Sequence, residues 1–323
     1  MYKMLEIRIE KAFNGECIWL HFGEEKKTNI IIDSGPAMFV NGFREVIETI
    51  KNRNEKVDLL IFTHIDNDHI LGFNNYIKNN DCSIIKKIWL NGNGISVYKK
   101  NQLLSPKNVG TLVDEIKKKK IFLETLVYEG YEEEINEAKL KVISPQKEAL
   151  INVAELVDKY NLNGSIEYVK SLDSLYLEDS YDEENTSTNK ASIAFIFEYN
   201  NKKIAFLGDA VATDIINGFD KYYKNSKVDI VKIAHHGSKR NTNCELIKKL
   251  GAHNFIISKK SIVHKETIAR IVNCCEKSTI YCNYNWWDSV GYFNKNDKLN
   301  YIDNNKLTIL EKNLIEIVDG EDI

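Results

Sequence analysis

Three short apolar runs in this chain each end abruptly in histidine or aspartate, and that recurrence limits the fold more than any other feature. Val57–Phe62 runs into Thr63-His-Ile-Asp-Asn-Asp-His69, residues 203–207 run into Gly208-Asp209, and residues 229–234 run into His235-His-Gly-Ser-Lys239. Apolar runs this short, closed by polar turns, read as buried strands. Open α/β layers present their chemistry at such strand ends. A fold that gathers all three ends on one edge therefore collects several imidazoles and carboxylates in one place.

The rest of the chain fits that class. Residues 4–9 and 17–22 alternate apolar and polar side chains as half-buried strands do. Residues 29–33 form a further strand closed by the turn signal Ser34-Gly35-Pro36. The spacing of Phe43, Val46, Ile47 and Ile50 predicts a helix over 42–51. Later strands are expected at 84–90, 192–199, 255–258, 279–282, 306–310 and 314–318, with an amphipathic helix at 149–160. Residues 96–120 are rich in lysine and read as a solvated helix face. Residues 173–190 are acidic and turn-rich and read as a long surface loop or lid. Interleaved strands and helices with no convincing linker predict one α/β layered domain over 1–323. A stretch around 91–185 and a tail after about 290 stand apart from the resemblance given below.

Composition excludes some function classes. With 44 basic and 47 acidic side chains the formal net charge is -3, which argues against a globally basic nucleic-acid coat but allows a local basic cleft. Charges interrupt the N-terminal stretch every few residues, and no run approaches the ~18–20 apolar residues of a membrane span. The expectation is a cytoplasmic protein with no membrane association. Its six cysteines form no CxxC pair and are expected to be reduced, mostly buried thiols.

The segment His64-x-Asp66-x-Asp68-His69 places four metal-ligand side chains within six positions. Such crowding of charge points to a cation. The competing reading is a polar loop in which Asp68 caps a helix. Gly208-Asp209 taken alone reads as a turn. His235-His236 is unusual in a chain with only seven histidines. The three together are far more specific than any one.

At this point the sequence resembles the metallo-β-lactamase superfamily, and within it the ComEC-type hydrolases. The matching pieces are Ile32-Asp-Ser-Gly35, Thr63-His-Ile-Asp-Asn-Asp-His69, Asn189-Lys-Ala-Ser192, Phe206-Leu-Gly-Asp-Ala210, Lys232-Ile-Ala-His-His-Gly-Ser238, and Ile256-Ile-Ser258 followed by His264, over about residues 5–285. The resemblance implies an αββα metallo-β-lactamase sandwich, two mixed β-sheets flanked by helices, with two divalent metal ions at one edge. Zn or Mn is expected, with Mg allowed, because a carboxylate-rich site suits the harder ions. Carried over, His64 and Asp66 hold one metal, Asp68 and His69 the second, and Asp209 bridges. His235 completes the second site as the histidine nearer the strand end, while His236 faces the substrate and joins Asp68 as a catalytic group. Asp33 orients a ligand histidine. Asn189, Ser192, Ser238, Lys239 and His264 are placed as supporting or substrate-contacting residues. The sequence departs from many members in having Asp66 for a histidine and no histidine between His69 and His235. Asn189, His264 or water is left to complete the first site.

The implied activity is that of a phosphodiesterase or nuclease cleaving DNA or RNA, with Lys239 and Arg240 on flanking phosphates. One alternative is hydrolysis of a small molecule such as a cyclic nucleotide, a phosphocholine ester or a lactone. Another is a weakly catalytic metal-binding subunit of a multiprotein system. A protein partner is expected, with Trp286-Trp287 as an aromatic patch or, more simply, as core.

Overall fold

The computed structural model describes residues 4–91, 106–152 and 170–320. Strands β1 (Met4–Ile9), β2 (Ile18–Phe22), β3 (Thr28–Ile32), β4 (Val57–Phe62), β5 (Lys87–Leu90) and β6 (Phe122–Glu124) build the first sheet in sequence order. Strands β7 (Glu132–Ile135), β8 (Ala138–Ser144), β9 (Ala194–Tyr199), β10 (Lys202–Phe206), β11 (Ile230–Lys232), β12 (Asn254–Ile257), β13 (Ser278–Cys282) and β14 (Leu307–Glu311) build the second, also in order. The last strand, β15 (Leu314–Val318), returns to the first sheet and pairs antiparallel with β1. Both sheets are mixed. The β1–β3 pairings are antiparallel and the β3–β6 pairings parallel. In the second sheet β7–β10 are antiparallel and β10–β14 parallel.

Strand alternation sorts the side chains into layers. On β4, Leu59 and Ile61 point between the sheets and meet Phe195, Phe206 and Ile256 of the second sheet. Val57, Leu60 and Phe62 point the other way, against α1 (Val40–Asn52), α2 (Asn67–Ile77) and α3 (Pro106–Lys118). The far face of the second sheet packs on α5 (Leu172–Leu177), α7 (Ala212–Tyr223), α8 (Cys244–Leu250) and α9 (Lys265–Cys274). Two short helices, α4 (Lys147–Asn152) and α6 (Ser187–Lys190), stand between β8 and β9 in sequence. The result is the expected four-layer order of helices, sheet, sheet, helices, and period-2 burial is its cause.

Several local expectations shift. The helix expected at 42–51 runs from Val40 to Asn52, and the strand expected at 84–90 is confined to Lys87–Leu90. Within the stretch set apart at 91–185, residues 106–152 add β6 to one sheet and β7 and β8 to the other. Of the helix expected at 149–160, residues 149–152 fall in α4, and 153–160 lie outside the described residues, as do 96–105 of the lysine-rich stretch. The acidic segment 173–190 carries α5 and α6 at its two ends, so it is partly helical. Cys244 and Cys274 are joined as a disulfide between the start of α8 and the end of α9, against the expectation of free thiols, while Cys17, Cys82 and Cys282 are buried and free. Trp286 is buried and Trp287 packs on the same core. Among the described residues no helix is long and apolar enough to cross a membrane.

Candidate metal centre

The first turn of the site begins where β3 and β4 end side by side. Asp33 follows β3 with a left-handed backbone (φ 59°), which a short polar side chain tolerates. Its fully buried carboxylate accepts from the Thr63 amide (2.8 Å) and hydroxyl (2.6 Å) and reaches His69 Nδ1 at 3.0 Å. That bond turns Nε2 of His69 toward the cluster. Ser34 locks the start of α2, donating from its hydroxyl to His69 O (2.9 Å) and accepting from the Phe73 amide (2.9 Å). Gly72 must lack a side chain, because a Cβ there would lie 1.9 Å from Ser34 O. Asp66 is the N-cap of α2, yet its side chain makes no capping bond, and Asp68 sits in the first turn. Both carboxylates are 41% exposed, which leaves them open on the solvent side.

The second sheet supplies the other half. Beyond β10, Gly208 takes a positive φ of 50° and sets Asp209 among the histidines. Ser192 ties the two halves together: its hydroxyl accepts from the Asp209 amide (2.8 Å) and donates to Thr63 O (3.1 Å). Beyond β11, His235 and His236 both occupy the left-handed region, at φ 47° and 50°. Strain of this kind on two successive non-glycine residues is characteristic of functional turns. The His235 amide donates to Gly208 O (2.9 Å), which fixes this turn against Asp209.

These turns bring the expected ligands together. One atom each of His64, His69 and Asp209 lie within 4.8 Å of one another, and so do one atom each of Asp68, His69 and His236. His69 Nε2 is 3.4 Å from Asp209 Oδ2, and His236 Nε2 is 3.5 Å from Asp68 Oδ2. Asp66 Oδ2 is 3.7 Å from His64 Nδ1. The histidine pair divides differently from the expectation. His236 is buried, bonded through Nδ1 to Ser258 O (3.0 Å), and turns Nε2 toward Asp68. His235 is one-third exposed and reaches Asp209 Oδ2 with Nε2 at 3.7 Å, its Nδ1 held by Asn241 Oδ1 (3.0 Å) and near Asn189 Nδ2 (3.3 Å). The reason is geometric: the two successive left-handed residues turn their rings in different directions, His235 toward Asp209 and His236 toward Asp68.

Buried polar atoms normally have partners. Here both ring nitrogens of His64, Nε2 of His69 and His236, and Oδ1 of Asp209 are buried without a hydrogen bond. A set of imidazole nitrogens and carboxylate oxygens converging in this way fits divalent metal ions. The electrostatics agree. Burial opposes ionisation of Asp209, but the imidazoles of His235, His69 and His236 hold its carboxyl well below the usual range. Asp68 is also held low, burial being outweighed by His69 and His236. Burial likewise opposes charge on His69, yet Asp209, Asp33 and Asp68 raise its pKa well above the ordinary value.

The other expected residues fall around this cluster. Ser238 is buried and accepts from the Arg240 amide (3.2 Å), so it shapes the turn. Lys239 pairs with Glu266 (2.8 Å), and Arg240 pairs with Asp182 (3.2 Å) and lies 3.9 Å from Glu184. Both cations, expected on flanking phosphates, are ion-paired with carboxylates here. The acidic segment reaches this turn: the Glu184 amide and the Tyr181 hydroxyl both donate to Arg240 O (2.8 and 2.9 Å). His264 is the N-cap of α9, with Nδ1 buried and unbonded. Three residues were missed from the sequence. Asn241 is fully buried, and its amide donates to Asp209 O (3.0 Å). Glu16 and Lys232 form a buried ion pair, and Glu16 Oε2 lies 3.8 Å from His236 Nδ1. A lysine inside an apolar strand next to the histidine pair was the available signal for Lys232.

The family model described as Metallo-beta-lactamase superfamily matches residues 15–87, the segment that carries Asp33 and the His64–His69 turn. No curated protein matches the chain. Similar solved structures include Zn(2+)-bound PqqB from Methylobacterium extorquens, at 9% identity and TM-score 0.48 over 97% of this chain and 99% of that one. Another is a diphosphatase from the PhnP family, at 11% identity and TM-score 0.46 over 98% and 99%. A third is CmlA, a diiron beta-hydroxylase from Streptomyces venezuelae, at 10% identity and TM-score 0.44, where 98% of this chain spans only 54% of that one. None of these likenesses assigns an activity, substrate or metal to this chain. Residues 15–87 are thus similar to the metallo-beta-lactamase superfamily, and the two mixed sheets flanked by helices are consistent with the sandwich fold of that superfamily.

Proposed function

We propose that the protein is a metal-dependent phosphodiesterase of the ComEC type. The observation that carries this reading is the convergence of His64, His69, Asp209, Asp68 and His236 with their buried ligand atoms unbonded. His64, Asp66 and Asp209 would hold a first metal, and His235 would close that site from the Asp209 side, the role the sequence left open. Asp68, His69 and His236 would hold a second, with Asp209 available to both. Divalent ions bound there would supply a water of lowered pKa and neutralise phosphoryl charge. The chain's own contribution is orientation. Asp33 and Ser258 O fix the rings of His69 and His236 from behind. Asp66 and Asp68, the most exposed of these side chains, define the face on which substrate arrives.

The acidic segment favours a small phosphodiester over a long polyanion. Asp182 and Glu184 lie against the turn that carries His235 and His236 and neutralise Arg240 there. Lys86 and Lys87 at the start of β5 are also engaged, Lys86 by Asp58 (2.5 Å) and Lys87 by Glu133 (2.6 Å). Cleavage of single- and double-stranded DNA or RNA is the competing outcome in the same experiment. The protein reconstituted with Mn²⁺, Zn²⁺ or Mg²⁺ is given bis-p-nitrophenyl phosphate, cyclic nucleotides and nucleic acids, with Asp68→Ala and His69→Ala as controls. Turnover of small diesters that both substitutions abolish supports the reading. No phosphodiester cleavage with any of the three metals refutes it.

A further inference from the structure

The loop between β12 and α9 carries two polar side chains, Lys259 and His264, that are not among the proposed metal ligands. It starts at Ser258, whose carbonyl accepts from His236 Nδ1 (3.0 Å). The Lys259 amide donates to the buried Asn283 Oδ1 (3.2 Å), the Lys260 amide to Phe13 O (2.9 Å) and the Ser261 amide to Asn14 Oδ1 (2.8 Å). The loop is thereby pinned to residues 13–16, where the Glu16 amide in turn donates to Asp68 O (3.3 Å). Its other end is pinned to the histidine turn. Thr267 Oγ1 donates to Gly237 O (2.9 Å), and Val263 fills the space where a Cβ of Gly237 would stand. Lys259 and His264 are therefore held by backbone contacts to the two turns that carry Asp68 and His236.

Neighbouring cations are already satisfied. Lys239 pairs with Glu266, Arg240 with Asp182, Lys265 with Asp297 (2.6 Å), and Lys260 lies over the Phe13 ring. Lys259 is half-buried and has no ion pair within 4 Å among the described residues. Burial pulls the pKa of its ammonium down, and the Asp209 and Asp68 carboxylates oppose that shift. His264 is pushed down to about 4 by burial first and by the Lys259 ammonium second, so it is a neutral imidazole near pH 7. Its Nδ1 is buried with no partner. It also stands at the N-terminus of the ten-residue α9, the positive end of that helix. A half-buried cation, a neutral imidazole with a spare ring nitrogen and a helix N-terminus together are suited to an oxyanion.

We propose that Lys259 and His264 form an anion subsite beside the metal ligands that receives a phosphate-class oxyanion of the substrate. The choice of phosphate rests on the phosphodiesterase reading, while the subsite itself stands on the loop geometry. Lys259 supplies the charge that Lys239 and Arg240 do not, and His264 sets the direction of a hydrogen bond.

The test is calorimetric titration of the metal-reconstituted protein with inorganic phosphate, with metal content measured in parallel. Lys259→Gln is expected to weaken phosphate by about tenfold or more, with Lys259→Arg restoring most of it. His264→Gln is expected to weaken it roughly threefold. Metal content is expected to be the same in all four proteins. Acylation footprinting of the wild type gives a reading free of folding effects: phosphate protects Lys259 and leaves Lys260 reactive. Wild-type affinity in Lys259→Gln, absence of phosphate binding in the wild type, or no protection at Lys259 overturns the proposal. Lys259-dependent phosphate binding without phosphodiester turnover retires the phosphodiesterase reading alone. Turnover with Lys259-independent phosphate binding retires the subsite alone.

Discussion

Replacing Asp33 by Asn separates metal affinity from folding. The buried carboxylate accepts three hydrogen bonds, from the Thr63 amide, the Thr63 hydroxyl and His69 Nδ1. Asparagine fits the same space and tolerates the positive φ, so the backbone keeps its course. With its oxygen retained toward the Thr63 amide, its NH₂ group faces the Thr63 hydroxyl and His69 Nδ1. The hydroxyl can rotate and accept. The imidazole cannot donate to an amide nitrogen, so its proton moves to Nε2, the atom that faces Asp209 and Asp68. Metal needs the other neutral tautomer, with Nε2 free and the proton on Nδ1, which Asp33 stabilises and asparagine does not. Loss of such a supporting bond costs about 10–100-fold in metal affinity, equivalent to roughly 1.4–2.7 kcal/mol. The metal-free fold loses one hydrogen bond to a charged group, about 1.5–3 kcal/mol. Competition with a chromophoric chelator measures the first quantity, and urea unfolding in EDTA the second. An Asp33→Asn protein that binds metal as tightly as the wild type would refute the assignment of Asp33 as the group orienting His69.

Three further outcomes follow from the same geometry. Gly72→Ala drives a Cβ into Ser34 O, and relief requires α2 to move away from the turn after β3; a destabilisation of about 3 kcal/mol is expected in urea unfolding. The raised pKa of His69 means that metal competes with a proton held by Asp209, Asp33 and Asp68. Metal affinity is therefore expected to rise about tenfold per pH unit until the pH passes the folded pKa of His69. In the metal-free protein the same proton is a stabilising contribution, fully present below the unfolded histidine pKa and lost as pH rises through the folded one. His264 works in the opposite sense. Its folded pKa of about 4 lies below the unfolded value near ~6.5, so its contribution is present above ~6.5 and is lost as the pH falls toward about 4. His264→Gln should flatten that part of an acid stability profile measured in EDTA.

Much of the site was legible because it is local in sequence. The stretch from His64 to His69 is one turn after one strand, and spacing alone puts its four ligand residues together. Strand alternation on β4 likewise fixes which of Leu59, Leu60, Ile61 and Phe62 face the second sheet. What spacing does not encode is the handedness of a turn. The positive φ at His235 and His236 sends the second ring, and not the first, toward Asp68, which nearness to the strand end did not foretell. Pairing partners distant in sequence were equally hidden. Glu266 and Asp182 take up Lys239 and Arg240 from elements that precede or follow by dozens of residues. The buried ion pair of Glu16 with Lys232 and the fully buried Asn241 behind Asp209 belong to the same class of contact. Of the strands at 106–152, β7 is all glutamate outside Ile135 and carries no apolar alternation to read, whereas β8 does alternate and its signal was overlooked.

The proposed site would hold two metals, with Asp209 serving both. The most direct measurement is elemental analysis of metal per chain for the purified, reconstituted protein beside its Asp209→Ala variant, whose own fold is checked by circular dichroism. Two ions per wild-type chain, falling to one or fewer in a folded Asp209→Ala protein, is the predicted result. At most one ion in the wild type, or two retained without Asp209, would contradict it.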